Sequence, residues 1–343
     1  MNRISFLSVL TMAITASQTG CNLARVSILP AMTQTAAPAV PTDTTPPPAY
    51  ASTASLGLAE NPLILALPAS SDSQAEIDAA NNIANQFMER TGYVVVTVIP
   101  DSQTSLVAAF EHGNAHIAVL DPYAYELAYQ KGLVKAAFAV MENGASRYGA
   151  QFIAPRKEGF TSYFNPLNET NTVNDPQIAL SQFVDKKPCW SDETSPSGYV
   201  IPLGYLNSIG AVPLPAAFVE GQPSVVRALY AGGICDFGAT YIDARKFPSL
   251  EDEFPDLIEQ VVVIWRIPEI IPYHVLAFSS SMPASMRDLF SSILPAILQT
   301  DAGGAAFKTV YNIESLEPAN DASYLEFRRS VADSQVDLAQ LVK

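Results

Sequence analysis

The segment Ser191-Asp-Glu-Thr-Ser-Pro-Ser-Gly-Tyr-Val-Ile-Pro202 crowds hydroxyl groups, a glycine and two prolines into one junction. A short strand-like run precedes it, and an apolar run that reads as a helix follows. Hydroxyls and free backbone N–H groups at a helix start, where the helix carries partial positive charge, can hold a small anion. Ser195 suits the N-cap, and Pro196 the first helical position, where a proline costs nothing. Ser197 and Gly198 then present N–H groups at the open end. A plain capped helix has the same pattern, so the segment alone reads equally as cap or cradle. Pro202 would remove an interior hydrogen bond from a helix starting at Ser195, which predicts a kink or a later start.

Other reactive residues make a weaker pattern. His112 and His116 have the spacing of a metal pair on a helix, but Gly113 and Asn114 break the helix between them, so no metal site is expected. His274 sits in an apolar run and reads as a core residue. No GxSxG elbow, HExxH or Walker loop occurs. No nucleophile–base pair is recognisable, so no enzymatic activity and no cofactor are expected. Tyr123, Tyr125, Tyr148, Tyr199 and Tyr241 fall near strand ends or lobe junctions, where a phenol suits a cleft that closes on a polar ligand.

Elements of alternating type must position these residues. Leu63–Leu67 reads as a strand, 74–91 as a helix stopped by Gly92, 93–99 as a strand, 102–111 as a helix and 117–120 as a strand. The alternation predicts βαβ units and parallel sheets covered on both faces. Ligands then sit beyond the carboxyl ends of strands, which nominates Pro68–Ser73 with Ser70 and Ser71, Pro100–Thr104, and Asp121–Tyr125. The pattern restarts after a strand at 149–155: helix 178–184, strand 188–190, helices 198–209 and 223–230, strands 234–239, 261–265 and 273–278, helices 285–298 and 302–310. Two α/β lobes result: 62–150 with 270–343, and 151–269. Cys189 and Cys235 each fall in a strand of the second lobe, and read either as a disulfide or as buried thiols.

The whole chain has 343 residues, 48% of them hydrophobic and 15% charged, which suits a filled core. Its formal charge of −15 repels a phosphate backbone, so nucleic acid is not an expected partner. Residues 1–21 read as an export signal: Arg3, then an apolar run over 4–16 too short to span a bilayer comfortably. Thr19-Gly20-Cys21 resembles the lipobox of bacterial lipoproteins, with Gln18 where an aliphatic residue is usual. That resemblance implies lipidation of Cys21 and anchoring to the outer face of the cell membrane. Residues 22–61, rich in Ala, Pro and Thr, read as an extended linker.

Several segments in order resemble the phosphate/phosphite/phosphonate-binding proteins of ABC importers, a branch of the type II periplasmic binding proteins. They are Thr91-Gly-Tyr-Val-Val, the stretch from Phe110 to Tyr125, Asp192 to Gly210, Gly233-Ile-Cys-Asp-Phe-Gly-Ala239, Val263-Ile-Trp-Arg-Ile-Pro268, and Ser323-Tyr-Leu-Glu-Phe-Arg328. The SxSGY..P stretch at 195–202 is the most specific. The resemblance implies two lobes, each a mostly parallel sheet flanked by helices, joined by a two-strand hinge. It also implies a small anionic ligand, a permease partner and a monomeric protein. It places Ser195, Ser197, Gly198 and neighbouring Thr194 on the oxyanion, with Tyr148 at the hinge and Tyr123 and Tyr241 at the cleft. Asp236 or Asp121 would accept from a protonated phosphonate and discriminate against sulfate. Pro196 replaces a threonine of that family, which removes one hydroxyl and one N–H. Asp121 replaces a glycine, His116 an aspartate, and Pro223 falls where a histidine is frequent. These departures leave a nitrogenous or zwitterionic solute, or a ligand-sensing domain for a membrane receptor, as alternatives to an imported oxyanion.

Overall fold

The computed structural model describes residues 56–68 and 73–343. Cys21, the export segment, the linker up to residue 55, and Ser70 and Ser71 lie outside the described residues.

β1 (Leu63–Ala66) is buried along its length, as its unbroken apolar run requires of a strand covered on both faces. α1 (Gln74–Thr91) starts at a capping box between Ser73 and Glu76 and ends where Gly92 takes the left-handed conformation. β2 (Val95–Val98), α2 (Gln103–Glu111), β3 (Ile117–Leu120), α3 (Pro122–Gln130) and β4 (Val134–Met141) extend the first lobe, and β5 (Arg147–Pro155) crosses to the second. There β6 (Phe164–Asn165), β7 (Thr170–Asn171), α4 (Pro176–Leu180), β8 (Pro188–Trp190), α5 (Ile201–Ser208), β9 (Ala217–Phe218), α6 (Gln222–Ala231), β10 (Phe237–Tyr241), α7 (Pro248–Glu253) and α8 (Leu257–Gln260) lead to β11 (Val261–Pro272). β12 (Val275–Ser279), α9 (Ala284–Leu298), α10 (Asp301–Tyr311) and β13 (Ser315–Pro318) rebuild the first lobe, before α11 (Leu325–Ser334) and α12 (Leu338–Leu341).

The first sheet has the order β13-β4-β12-β3-β1-β2, and the second β11-β5-β10-β8-β9. β1 pairs in parallel with β2 and β3, and β8 with β9 and β10. The strands that arrive from the other lobe enter antiparallel: β12 beside β3, and β5 beside β10. Both crossings run through the β5–β11 ladder, whose last register, Pro272 with Arg147, lies at the hinge. The carboxyl ends of the parallel strands carry the loops where ligands of such sheets bind. One apolar core belongs to each lobe. A third runs between them, from Leu106 and Tyr125 through Phe152 and Trp190 to Phe327.

The chain end departs from the expected assignment of all of 270–343 to the first lobe. α11 packs on α5 of the second lobe, and a Cβ at Gly204 would collide with the Ser330 carbonyl. Asn207 Nδ2 fixes the pair by donating to the Asp333 and Ser334 carbonyls at 3.0 and 3.1 Å. The last residues then return to the first lobe. The Val342 carbonyl accepts from Thr104 Oγ1 at 3.0 Å and the Lys343 carbonyl from Gln103 N at 2.8 Å.

Candidate functional site at the hinge

β8 ends at Trp190, and the next residues turn into a helix start. Ser195 takes the extended N-cap conformation, and its Oγ accepts from the Gly198 N–H at 3.0 Å. The first turn, Pro196–Val200, is wound as a π-helix and runs directly into α5. Pro202 thereby finds its place: it has no N–H to offer the Gly198 carbonyl four residues back. That carbonyl accepts instead from Ser191 N at 3.3 Å. The strand end and the helix start are tied together where the proline left an acceptor free. Gly198 is required by a close approach, because a Cβ there would collide with Ser191 Oγ.

Ser195 and Ser197 are buried, yet both line a cleft of about 330 Å³ with Tyr148, Tyr241, Tyr273 and Gln222. No charged side chain lines this cleft among the described residues. Tyr148 stands near the hinge end of β5, its ring 5.0 Å from that of Tyr273. Burial pushes its phenol above the ordinary tyrosine range, and the neighbouring Ser197 hydroxyl pulls it partly back. Tyr241 is the last residue of β10, at the carboxyl end.

Gln222, which carries no local sequence signature, organises this wall. It opens α6 after Gly221. Its Oε1 accepts from Tyr241 N at 3.0 Å, while its Nε2 donates to Ser195 Oγ at 3.0 Å and to Ser197 Oγ at 3.1 Å. Tyr123, in the first turn of α3 in the opposite lobe, does not line this cleft. It is 5% exposed, and its hydroxyl has no hydrogen-bond partner among the described residues. Burial raises its phenol strongly, and the fields of Tyr148, Asp121 and Asp192 add to the shift.

The remaining candidates stand elsewhere. Asp121 is the N-cap of α3, where one carboxylate oxygen accepts from Ala124 N at 2.7 Å. Burial raises its carboxyl above the ordinary range, and that N–H opposes the rise. Thr194 bonds Asp192 and lines a neighbouring hollow of about 620 Å³ together with Gln340 and Lys343. Asp236 precedes β10, at the amino end of the strand. Its carboxylate accepts from Lys187 N at 2.7 Å and does not line the cleft.

The histidines divide differently from expectation. His116 is buried and neutral. Its Nδ1 accepts from Ile64 N at 3.1 Å, and desolvation lowers its pKa to about 4. His112 turns its Nδ1 to the Ala108 carbonyl, 2.8 Å away. His274 is not a core residue: its side chain is 45% exposed and lies 3.0 Å from the Glu142 carboxylate, next to the hinge. Cys189 and Cys235 form a disulfide that ties β8 to the loop before β10.

Two sheets flanked by helices, two crossing strands and a hinge cleft define a type II periplasmic binding-protein fold. The chain belongs to the ABC transporter phosphonate periplasmic substrate-binding family, whose model matches residues 65–324. It is therefore of a family of transporter substrate-binding proteins, not enzymes. Among solved structures it is similar to XAC2383 from Xanthomonas citri bound to ATP, with a TM-score of 0.53 at 14% identity over 80% of this chain and 96% of that one. PhnD1 from Prochlorococcus marinus in complex with methylphosphonate gives 0.44 at 13% identity, over 78% and 96%. A binding protein component of an ABC phosphonate transporter from Pseudomonas aeruginosa gives 0.44 at 16%, over 80% and 87%. No curated protein sequence matches the chain.

Proposed function

We propose that the protein is an extracytoplasmic solute-binding lipoprotein that captures a small tetrahedral oxyanion, a phosphonate, phosphite or phosphate, for an ABC importer. The observation that carries this reading is the hinge cleft itself. Two serine hydroxyls at a helix start and the half-buried Tyr148 face one volume of small-ligand size. Neutral donors in a desolvated site bind an anion strongly, since each hydrogen bond to charge is worth about twice a neutral one. The chain carries a formal charge of −15, so attraction must come from this local geometry and not from its overall field. Closure would bring Tyr123 of one lobe against Ser195 and Ser197 of the other. Cys21, after an apolar run, would hold a monomeric body outside the membrane beside its permease.

Calorimetric titration of the purified protein with methylphosphonate, phosphite and phosphate tests the reading. Saturable binding of at least one is expected, and heats indistinguishable from dilution for all three would overturn it. A second reading rests on the tilted Tyr148–Tyr273 ring pair and the lack of any cation in the lining. Such a surface also accommodates a nitrogenous or zwitterionic solute. A thermal-shift series separates the two, because a true ligand raises Tm with its concentration.

A further inference from the structure

We infer that Gln222 is a positioning residue that sets the polarity of the serine cradle, so that its hydroxyls offer protons and not lone pairs to the ligand. The inference rests on the oxyanion reading above. A serine hydroxyl is one donor and two acceptor lone pairs, and it rotates to suit its neighbours. Left alone, Ser195 and Ser197 could face a ligand with either. Gln222 removes that freedom. Its amide cannot invert, because Oε1 takes the Tyr241 N–H at 3.0 Å, which leaves Nε2 as the end that meets the serines.

Ser195 Oγ then receives two hydrogen bonds, from Gln222 Nε2 and from Gly198 N. Both lone pairs are used, and only its O–H remains to act. Ser197 Oγ receives Gln222 Nε2, which occupies one of its lone pairs and leaves its O–H free to turn into the cleft that Tyr148 also lines. The wall thus presents donors to a ligand, and it favours oxygens that carry no proton: phosphonate, phosphite or sulfonate faces. A ligand that brings only N–H or O–H donors to this wall would meet no acceptor at Ser195 and a single lone pair at Ser197. Without Tyr241 N as an anchor the side chain would be free to turn, so the specificity originates at the end of β10, not in the serine segment.

The test is a set of titrations with methylphosphonate, carried to millimolar ligand. It compares the wild type, Gln222→Glu, Gln222→Met, and both serines replaced by alanine with and without Gln222→Glu. Glutamate keeps the shape but offers only lone pairs, so the serine O–H groups turn toward it and away from the ligand. At pH 8, Gln222→Glu should weaken binding about 100-fold, as two charge-assisted donors are lost, and Gln222→Met about tenfold. At pH 5.5 the Gln222→Glu loss should shrink relative to wild type, because a protonated carboxyl again supplies an O–H. In the serine-free background Gln222→Glu should cost less than threefold, since its route to the ligand is gone. Equal losses for Gln222→Glu and Gln222→Met overturn the inference. So does an undiminished Gln222→Glu penalty without the serines, which would mean direct repulsion. A wild type that binds while Gln222→Glu matches it overturns this inference alone; a wild type that binds no oxyanion overturns the functional reading as well.

Discussion

Replacing Ser197 with alanine removes one hydroxyl from the centre of the cradle and leaves the backbone in place. Ser197 is 3% exposed, and its hydroxyl accepts from Gln222 Nε2 at 3.1 Å and lines the cleft with Tyr148. To a bound oxyanion it contributes one charge-assisted hydrogen bond, worth about 1.5–3 kcal/mol. At about 1.4 kcal/mol per decade, Kd rises roughly 10- to 150-fold. Folding loses only neutral hydrogen bonds, each about 1 kcal/mol, so Tm falls by a few degrees at most. Ser197→Ala should therefore separate binding from stability. Titration calorimetry reads the first and differential scanning calorimetry the second. Unchanged affinity at unchanged Tm would refute the assignment of this hydroxyl to the ligand.

Gly198→Ala pushes a Cβ into Ser191 Oγ and to 2.9 Å from Ser195 Oγ, so it should disrupt both the helix start and binding; Ser191→Gly in the same chain should recover Tm but not full affinity, read by Tm and titration. The Cys189–Cys235 bridge closes a 46-residue separation, for which the chain-entropy model gives about 4 kcal/mol. Loss of the bridge on reduction or by Cys189→Ala/Cys235→Ala should lower Tm by roughly 10 °C, and an unmoved Tm would show that the bridge does not form. His116 has its folded pKa depressed to about 4, below the ordinary 6.5, so its neutral form stabilises the fold fully above that ordinary value. This contribution, at most about 3 kcal/mol, is lost as pH falls through the window toward 4. His116→Asn can still accept from Ile64 N and does not titrate, so urea midpoints should depend less on pH in that variant between 7 and 4.5. Equal slopes for the two proteins would exclude the histidine as the cause.

The scaffold was legible because its elements announce themselves locally. Leu63–Ala66 is apolar without alternation, Ser73 and Gly92 bracket α1, and β-branched runs mark β2 and β11. The helix start at 195–198 was legible for the same reason, since Ser195, Pro196 and Gly198 follow N-cap grammar. Pro202 looked like a contradiction until the Ser191 N–H was seen to take the carbonyl that the proline leaves free. Gln222 had no such signature: its partners lie 19, 25 and 27 residues away and meet it only through the fold. Asp236 misled because β10 begins at Phe237, not Ile234, which puts the carboxylate at the amino end of the strand instead of the cleft. His274 was read as core because its neighbours are apolar, but it falls in the bend between β11 and β12, where the chain turns out toward Glu142. The tail escaped because α11 is amphipathic toward a partner, α5, more than a hundred residues earlier.

The central claim is that an oxyanion sits against Ser195 and Ser197 at the hinge. A crystal structure of the protein grown with methylphosphonate tests it most directly. The account predicts phosphonate oxygens within hydrogen-bond distance of both serine hydroxyls and of Tyr148, with Gln222 Nε2 still turned to the serines. A ligand bound elsewhere, or held by a cationic side chain outside this cleft, would contradict it.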